Sequence, residues 1–382
     1  MARARKKELQ KGTVPLQEGA KATASDKGTV PGASAAVRKG FARGVGILTL
    51  KNLLILLAML AAFGIVQLLS YLGWVTPVYE SVLATICIFI ILAVSLNLIT
   101  GFTGQFSLGH AGFMAVGAYT CAIIVSYYPT TAGFLLGMLA GGVLAMIFGI
   151  LIGFPTLRLK GDYLAIATLG MAEIIRVVVQ NLTITGGASG LFSNSHMATW
   201  PWLFFFMAVS ILVINNFIKS SRGRACIAVR EDEIAAESMG INSTKYKVMA
   251  FAIGAFFAGI GGGLYASYFF VIKPVTFGFL MSINILVMVV FGGLGSISGS
   301  VVSAVLLTLL TNFFTIAPPL NVFGLFTIDW SRVNMIIYAL LLIIIMLFRP
   351  QGLMGTMEVG DLFKKRPGRG RRRRGATPEQ VE

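Results

Sequence analysis

The chain has 382 residues, of which 56% are hydrophobic and only 12% are charged, and its mean hydropathy is +0.82. Globular domains carry roughly a quarter charged residues, so a soluble chain of this composition lacks the polar side chains to cover its surface. The composition excludes a soluble enzyme, a disordered protein and a small disulfide-stabilised secreted module. It predicts an all-α polytopic membrane protein.

The net charge of +16 is concentrated at the two ends of the chain. Residues 1–51 hold eleven Lys and Arg against three acids, and residues 349–382 hold nine against four. Basic residues that flank hydrophobic spans face the cytoplasm, so we expect both termini inside and an even number of spans. Residues 1–45 are predicted to be a disordered basic extension, 46–355 the membrane domain, and 356–382 a basic cytoplasmic tail.

Ten hydrophobic segments are long enough to form membrane helices, which need about 20 residues each. The loop charges agree with ten spans and with cytoplasmic ends, because Arg158 and Lys160 follow span four and six Lys and Arg lie between Lys219 and Lys247, after span six. The loop 181–200, expected outside, has neither Lys nor Arg, and the exceptions in other loops expected outside are Lys273 and Arg332. The predicted spans lie near 52–70, 79–99, 111–127, 133–153, 163–180, 201–218, 248–270, 278–294, 297–316 and 333–348.

Two segments stand out because glycine and polar residues break an apolar run: "NLITGFTGQFSLGHAGF", 97–113, and "VVFGGLGSISGS", 289–300. Such backbone at membrane depth is tolerated only where protein buries it or a water-filled path passes it, and interrupted helices mark transporter pathways. We therefore predict broken or re-entrant helices here. An equally weighted alternative is that the polar groups only satisfy exposed backbone, and a lone buried histidine is more often satisfied than a ligand. The predicted substrate path consists of Asn97, Gln105, Ser107, His110, Asn284 and, as a gate, Phe291.

Other glycines predict close helix packing. The span containing "GAFFAGIGGGLYAS" has five of them, and small residues let membrane helices approach closely. These residues are Gly254, Gly259, Gly261, Gly262 and Gly263.

The motifs of catalysis and metal binding are absent from the sequence. It has no Walker A loop and no H-E-x-x-H, and its three cysteines are not spaced as metal ligands. A proton relay would need a chain of buried acids and histidines, whereas Glu173 and Arg176 are spaced as a local ion pair on one helix. We predict no catalytic residue and no metal site.

The long cytoplasmic loop, 220–247, is charged, lacks proline and favours a short amphipathic helix around "AVREDEIAAESMG". Gly240 stands where a C-terminal cap belongs, and Asn242 or Ser243 can begin the next helix. A helix of this kind between two spans predicts a segment on which a separate motor subunit acts.

The loop sequence "REDEIAAESMGI" resembles the coupling segment of ABC importer permeases. The chain is similar in particular to the LivM branch of the branched-chain amino acid permeases. Further matching stretches are "SLNLITGFTGQFSLGHAGFMAVGAY", "LKGDYLAIATLG", "TGGASGL", "MVVFGGLGSISG" and "LFRPQGLMG", and together they cover about residues 79–355 in the family's order.

The resemblance implies that 46–355 is the transmembrane permease domain of an ATP-driven importer of branched-chain amino acids in a bacterial inner membrane. The implied partners are a LivH-like permease subunit, two ATP-binding cassette subunits, an external binding protein and membrane lipid, without nucleic acid. The chain itself is then not an enzyme and binds no cofactor, because ATP and Mg are held by the partner subunits. The loop 181–200 is the expected dock for the binding protein. The implied coupling residues are Arg230, Glu231, Asp232, Glu233, Ala235, Ala236 and Gly240.

Three alternatives remain from the sequence. The nearest is a urea or amide permease of the same family. The second is an ion-coupled secondary carrier, against which the missing chain of acids argues. The third is a membrane anchor that recruits RNA through the arginine-rich tail, and deletion of residues 364–374 would separate this role from transport.

Overall fold

The computed structural model describes most of the chain between residues 76 and 316. The predicted basic extensions lie outside the described residues, and so do most positions of predicted spans 52–70 and 333–348, so these assignments stay predictions. Every element named below belongs to one unit, residues 50–382. The described residues are 61, 63, 64, 66–68, 72, 73, 76–157, 159, 161–192, 197–316, 320–322, 326–328, 340, 343, 347, 352, 353 and 355.

Helices make up most of the described structure, as the composition predicts. Eight of the predicted spans correspond to described helices, with bounds that differ by at most a few residues. The helices are α1 Pro77–Asn97, continued by a π-helical turn Leu98–Phe102, α2 His110–Tyr127, α3 Thr131–Thr156, α4 Asp162–Asn181, α5 Trp200–Lys219, α6 Ser221–Glu231, α7 Glu233–Ser238, α8 Ser243–Tyr268, α9 Phe279–Gly292 and α10 Ile297–Ile316.

Short strands and 3₁₀ turns occur only in connections within the described ranges. Strand β1, Leu191–Phe192, pairs antiparallel with β2, Val271–Ile272, and β3, Leu320–Val322, pairs antiparallel with β4, Phe326–Ile328. The 3₁₀ turns are Gly187–Ser189 and Pro274–Phe277. These pairs give loop backbone groups hydrogen-bond partners. The β1–β2 pair also joins the loop after α4 to the loop after α8, and the order of the predicted spans places these two loops on the same side of the membrane.

Five of the described helices are long and apolar enough to cross a membrane. They are α1 with its π-helical turn, α2, α3, α5 and α8, and α9 and α10 are shorter apolar helices. Helix α4 coincides with a predicted span but carries Asp162, Glu173 and Arg176. The structure thus shows a multi-helical membrane protein, while the total of ten spans stays a prediction.

Glycines let α8 lie directly against its neighbours. A Cβ added to Gly262 would lie 2.0 Å from the Met114 carbonyl oxygen in α2, and one added to Gly259 would lie 2.8 Å from the Gly141 carbonyl oxygen in α3. Atoms do not approach this closely, so only glycine permits the observed spacing of the backbones. The predicted role of these glycines in close packing is confirmed.

Candidate functional site at the junction of two broken helices

The first break follows α1. After Asn97 the helix widens into the π-helical turn 98–102, and the chain then runs without helix to the start of α2 at His110. Two hydroxyls bond backward to carbonyls four residues earlier, Thr100 to Leu96 at 3.0 Å and Thr103 to Ile99 at 2.6 Å. Such bonds bend helices, and π-helical turns are frequent at functional sites.

The second break separates α9 from α10. Gly293 and Gly295 have φ angles of 112° and 87°, which favour glycine because a Cβ would clash there. Ser296 begins α10 as a helix cap, because its hydroxyl accepts a hydrogen bond from the Gly299 N–H at 3.1 Å. This break lies at the second glycine-rich segment predicted from the sequence.

Asn97 joins the two breaks. Its side-chain nitrogen donates to the Ser296 carbonyl at 2.9 Å and to the Ser300 hydroxyl at 2.8 Å, and its oxygen accepts from the Gly295 N–H at 2.9 Å. The residue is completely buried. An amide with two donated bonds and one accepted bond has little capacity left for a substrate, so the geometry favours a structural role for this residue.

His110 faces back toward α1. Its Nε2 lies 2.8 Å from the Ser95 hydroxyl, and that hydroxyl lies 3.0 Å from the Leu92 carbonyl oxygen. Among the described residues Nδ1 has no hydrogen-bond partner, although the side chain is buried. One ring nitrogen of the histidine is therefore left to form a hydrogen bond with water or a ligand.

Gln105 has the largest unused hydrogen-bonding capacity of the predicted path residues. Its side chain is 3% exposed, and within the described ranges neither its Nε2 nor its Oε1 has a partner. Buried amides without a partner are rare, because desolvation is not offset. Ser107 nearby is also buried, but its hydroxyl accepts from the Gly109 N–H at 3.4 Å.

The two predicted path residues on α9 lie in different environments. Asn284 is half-buried, whereas Phe291 is 5% exposed and packs in the apolar core. The Phe291 carbonyl accepts a hydrogen bond of 2.8 Å from the Leu353 N–H, so Leu353 lies against the end of α9. The gate function of Phe291 stays a prediction.

The segment predicted to lie in the cytoplasm contains two helices, α6 and α7, rather than the single helix predicted. The chain breaks at Asp232, whose backbone is extended and whose carboxylate caps α7 by accepting from the N–H groups of Ile234 at 2.9 Å and Ala235 at 3.0 Å. An aspartate that can serve as a cap competes with continuation of the helix. The expected cap at Gly240 is confirmed by its φ of 82°, and Asn242 caps α8 through the Lys245 N–H at 2.9 Å.

Several predicted coupling residues contact this chain itself. Arg230 donates from Nη1 to the Gly101 carbonyl at 2.5 Å, Glu233 pairs with Lys247 at 2.6 Å, and Ala236 is buried. The remaining members, Glu231, Asp232, Ala235 and Gly240, are exposed.

Two exposed apolar residues of the same segment were missed by the sequence analysis. Ile234 is 75% exposed and Met239 is 82% exposed. Their signal in the sequence is two large apolar side chains inside an otherwise charged loop. Such side chains are typical anchors of a contact with another protein.

The loop 181–200, which is expected to lie outside and to dock the binding protein, is only partly described, since residues 193–196 lie outside the described ranges. Its strand β1 pairs with β2, and the Tyr119 hydroxyl in α2 donates to the Ile272 carbonyl in β2 at 3.1 Å. The ion pair predicted on α4 is confirmed, with Arg176 Nε 2.6 Å from Glu173 Oε2. The described residues contain no cluster of three metal-ligating side chains.

Apolar helices that break at a buried polar junction are typical of helical membrane transport proteins. The chain's residues 78–346 match the family described as "Branched-chain amino acid transport system / permease component". The chain belongs to this family.

Two relatives that are named as branched-chain amino acid permease proteins agree with this assignment. The chain is 36% identical to the high-affinity branched-chain amino acid transport system permease protein LivM of Salmonella typhimurium over 302 residues, covering 70% of this chain and 68% of the relative. It is 28% identical over 297 residues to the corresponding permease protein LivH of Escherichia coli, covering 70% and 92%. A solved structure titled "PsaBC from Streptococcus pneumoniae in complex with Fab" has a TM-score of 0.40 and 14% identity, covering 76% of this chain and 97% of the other.

Proposed function

We propose that this chain is a permease subunit of an ATP-driven importer that carries branched-chain amino acids across a bacterial inner membrane. It pairs with a LivH-like permease subunit, two ATP-binding subunits drive it, and an external binding protein delivers the substrate. Both termini lie in the cytoplasm. The observation that carries the proposal is the match of residues 78–346 to a transport permease family.

The substrate follows from the relatives, whose names specify branched-chain amino acids and so favour this class over urea or amides. A zwitterion with an apolar side chain needs a few polar contacts in an apolar wall. The junction offers such contacts at Gln105 and His110, whose side chains are buried and carry polar atoms that have no hydrogen-bond partner among the described residues. We assign these two residues to the path, with Asn284 as the contact from α9.

The mechanism is alternating access. ATP binding closes the two motor subunits, and the segment α6–α7 moves with them. That movement shifts the helices that end at the junction, so the path opens to one side of the membrane at a time. The permease contributes different substrate affinities in the two states, and ATP hydrolysis on the partner subunits supplies the free energy.

Reconstitution tests the proposal. The permease pair, the ATP-binding subunits and the binding protein are placed in liposomes, and uptake of labelled leucine is measured with and without ATP. We expect uptake that requires both ATP and the binding protein and that excess urea leaves unchanged. Uptake that persists without ATP would favour an ion-coupled carrier. ATP hydrolysis by the purified chain alone would contradict the proposal that the partner subunits hydrolyse the ATP.

A further inference from the structure

The carbonyl groups of the π-helical turn that continues α1 accept hydrogen bonds from two different parts of the chain. The last carbonyls of a helix lack partners within it. That of Ile99 accepts from the Thr103 hydroxyl at 2.6 Å and from the Gln105 N–H at 3.1 Å. That of Gly101 accepts from Arg230, which lies 129 positions later in the cytoplasmic segment.

The Arg230 side chain packs against three glycines of the two breaks, Gly101, Gly104 and Gly295. Its Nη1 lies 2.5 Å from the Gly101 oxygen, and a Cβ at Gly295 would lie 2.8 Å from the same nitrogen. A Cβ at Gly104 would lie 3.0 Å from the Arg230 Cγ. The guanidinium and its stem thus occupy the space that side chains at these two glycines would fill.

The Arg230 side chain is less exposed than those of the other two arginines of α6. Its side chain is only 29% exposed, and its Nη2 lies 3.1 Å from the more exposed Glu231 carboxylate, whereas Arg222 and Arg224 are exposed. A cation is favourable at the C-terminal end of a helix, where the carbonyls concentrate negative partial charge. The planar guanidinium also directs its donors more rigidly than a lysine ammonium does.

We propose that Arg230 is a positioning residue that transmits movement of the cytoplasmic segment to both broken helices, rather than a contact to the ATP-binding subunit. The inference rests on the proposed function. Movement of α6 reaches the end of α1 through the bond to Gly101, and it reaches the start of α10 because Asn97, at the same end of α1, is bonded to Gly295 and Ser296.

The test uses the full complex in liposomes and measures leucine transported per ATP hydrolysed. In Arg230→Gln we expect this ratio to fall about tenfold or more, since a charged hydrogen bond is lost, while the ATP-binding subunits still co-purify. Arg230→Lys is expected to recover part of the ratio. Arg222→Gln, which removes the same charge from the exposed face of α6, is the control and should stay within about twofold.

A second variant perturbs the same contact from the glycine side. Gly295→Ala is expected to lower the ratio as Arg230→Gln does, because its methyl group displaces Nη1. Gly161→Ala is the matched control, since Gly161 also has a positive φ, of 60°, but none of the described residues has an atom within 4 Å of an added Cβ. An equal effect in both variants would mean that backbone strain alone lowers the ratio, and would contradict the proposal.

A substrate-independent measurement separates this inference from the proposed function. Maleimide labelling of Asn284→Cys on α9 is followed with and without ATP, in otherwise wild-type and in Arg230→Gln complexes. An ATP-dependent change that Arg230→Gln removes supports the inference even when leucine uptake is absent, which would defeat only the proposed substrate. An equal response in both complexes, no response in either, or loss of the ATP-binding subunits from Arg230→Gln would overturn it.

Discussion

The side-chain oxygen of Asn97 accepts a 2.9 Å hydrogen bond from the backbone N–H of Gly295, which lies 198 positions later in the chain. The same side chain donates to Ser296 and Ser300. One buried amide therefore holds the end of α1 against the start of α10. The junction of the two broken helices depends on this residue, and we expect its replacement to affect stability before it affects substrate binding.

Asn97→Ala should lower the free energy of unfolding by roughly 2–4 kcal/mol, because each buried polar group left without a partner costs about 1–3 kcal/mol. The measurement is thermal unfolding of the purified protein in detergent. Asn284→Ala is the control, since Asn284 is only half-buried and is assigned to the path. It should leave the unfolding temperature nearly unchanged and lower uptake, and the reverse order of effects would contradict both assignments.

Replacing Gln105 is expected to lower uptake without lowering stability, in contrast to replacing Asn97. Replacing it with leucine removes two buried atoms that have no partner among the described residues, so the unfolding temperature should stay equal or rise. Uptake should fall, because the amide is then missing from the path. Gln105→Leu that is both stable and fully active would remove this residue from the path, and a strongly destabilised variant would show that the amide has a structural partner.

The sequence predicts the parts of this site but not how they meet. The broken segments, the cap at Gly240 and the packing glycines are local patterns, so their structural consequences follow from nearby residues alone. The pairing of Asn97 with Gly295 is a long-range contact, and no periodicity encodes it. The contact of Arg230 with Gly101 cannot be predicted from the sequence either. Whether a charged residue on a loop helix faces a partner or its own chain depends on tertiary packing.

Close helix packing predicts a sharp contrast between two glycines. Gly262→Ala places a methyl group 2.0 Å from the Met114 carbonyl oxygen, whereas an added Cβ at Gly170 in α4 meets no atom of the described residues within 4 Å. Overpacking a filled core typically costs about 1–3 kcal/mol, so Gly262→Ala should unfold at a lower temperature and Gly170→Ala should not. Equal unfolding temperatures for the two variants would show that α8 is not in contact with α2 at this point.

The orientation of the chain is testable by labelling. Val275→Cys and Ile234→Cys create similarly exposed thiols, at positions that are 71% and 75% exposed. In intact cells a membrane-impermeant maleimide should label Val275→Cys, and it should label Ile234→Cys only after permeabilisation. The native cysteine of the cytoplasmic segment gives little background, since burial raises the pKa of the Cys226 thiol to about 11, so the reactive thiolate is scarce at neutral pH and increases only as the pH approaches that value.

The exposed apolar side chains Ile234 and Met239 are expected to form the contact with an ATP-binding subunit. Because they are 75% and 82% exposed, their replacement by serine removes little packing within this chain, and the unfolding temperature should not change. The double variant should lose the ATP-binding subunit during purification, since desolvated apolar anchors dominate many interfaces. Val275→Ser, an equally exposed apolar residue on the predicted external side, should retain the subunit. If the double variant retains the ATP-binding subunit, the contact lies instead on the exposed acids Glu231 and Asp232. If Val275→Ser loses the subunit, the effect is not specific to this segment.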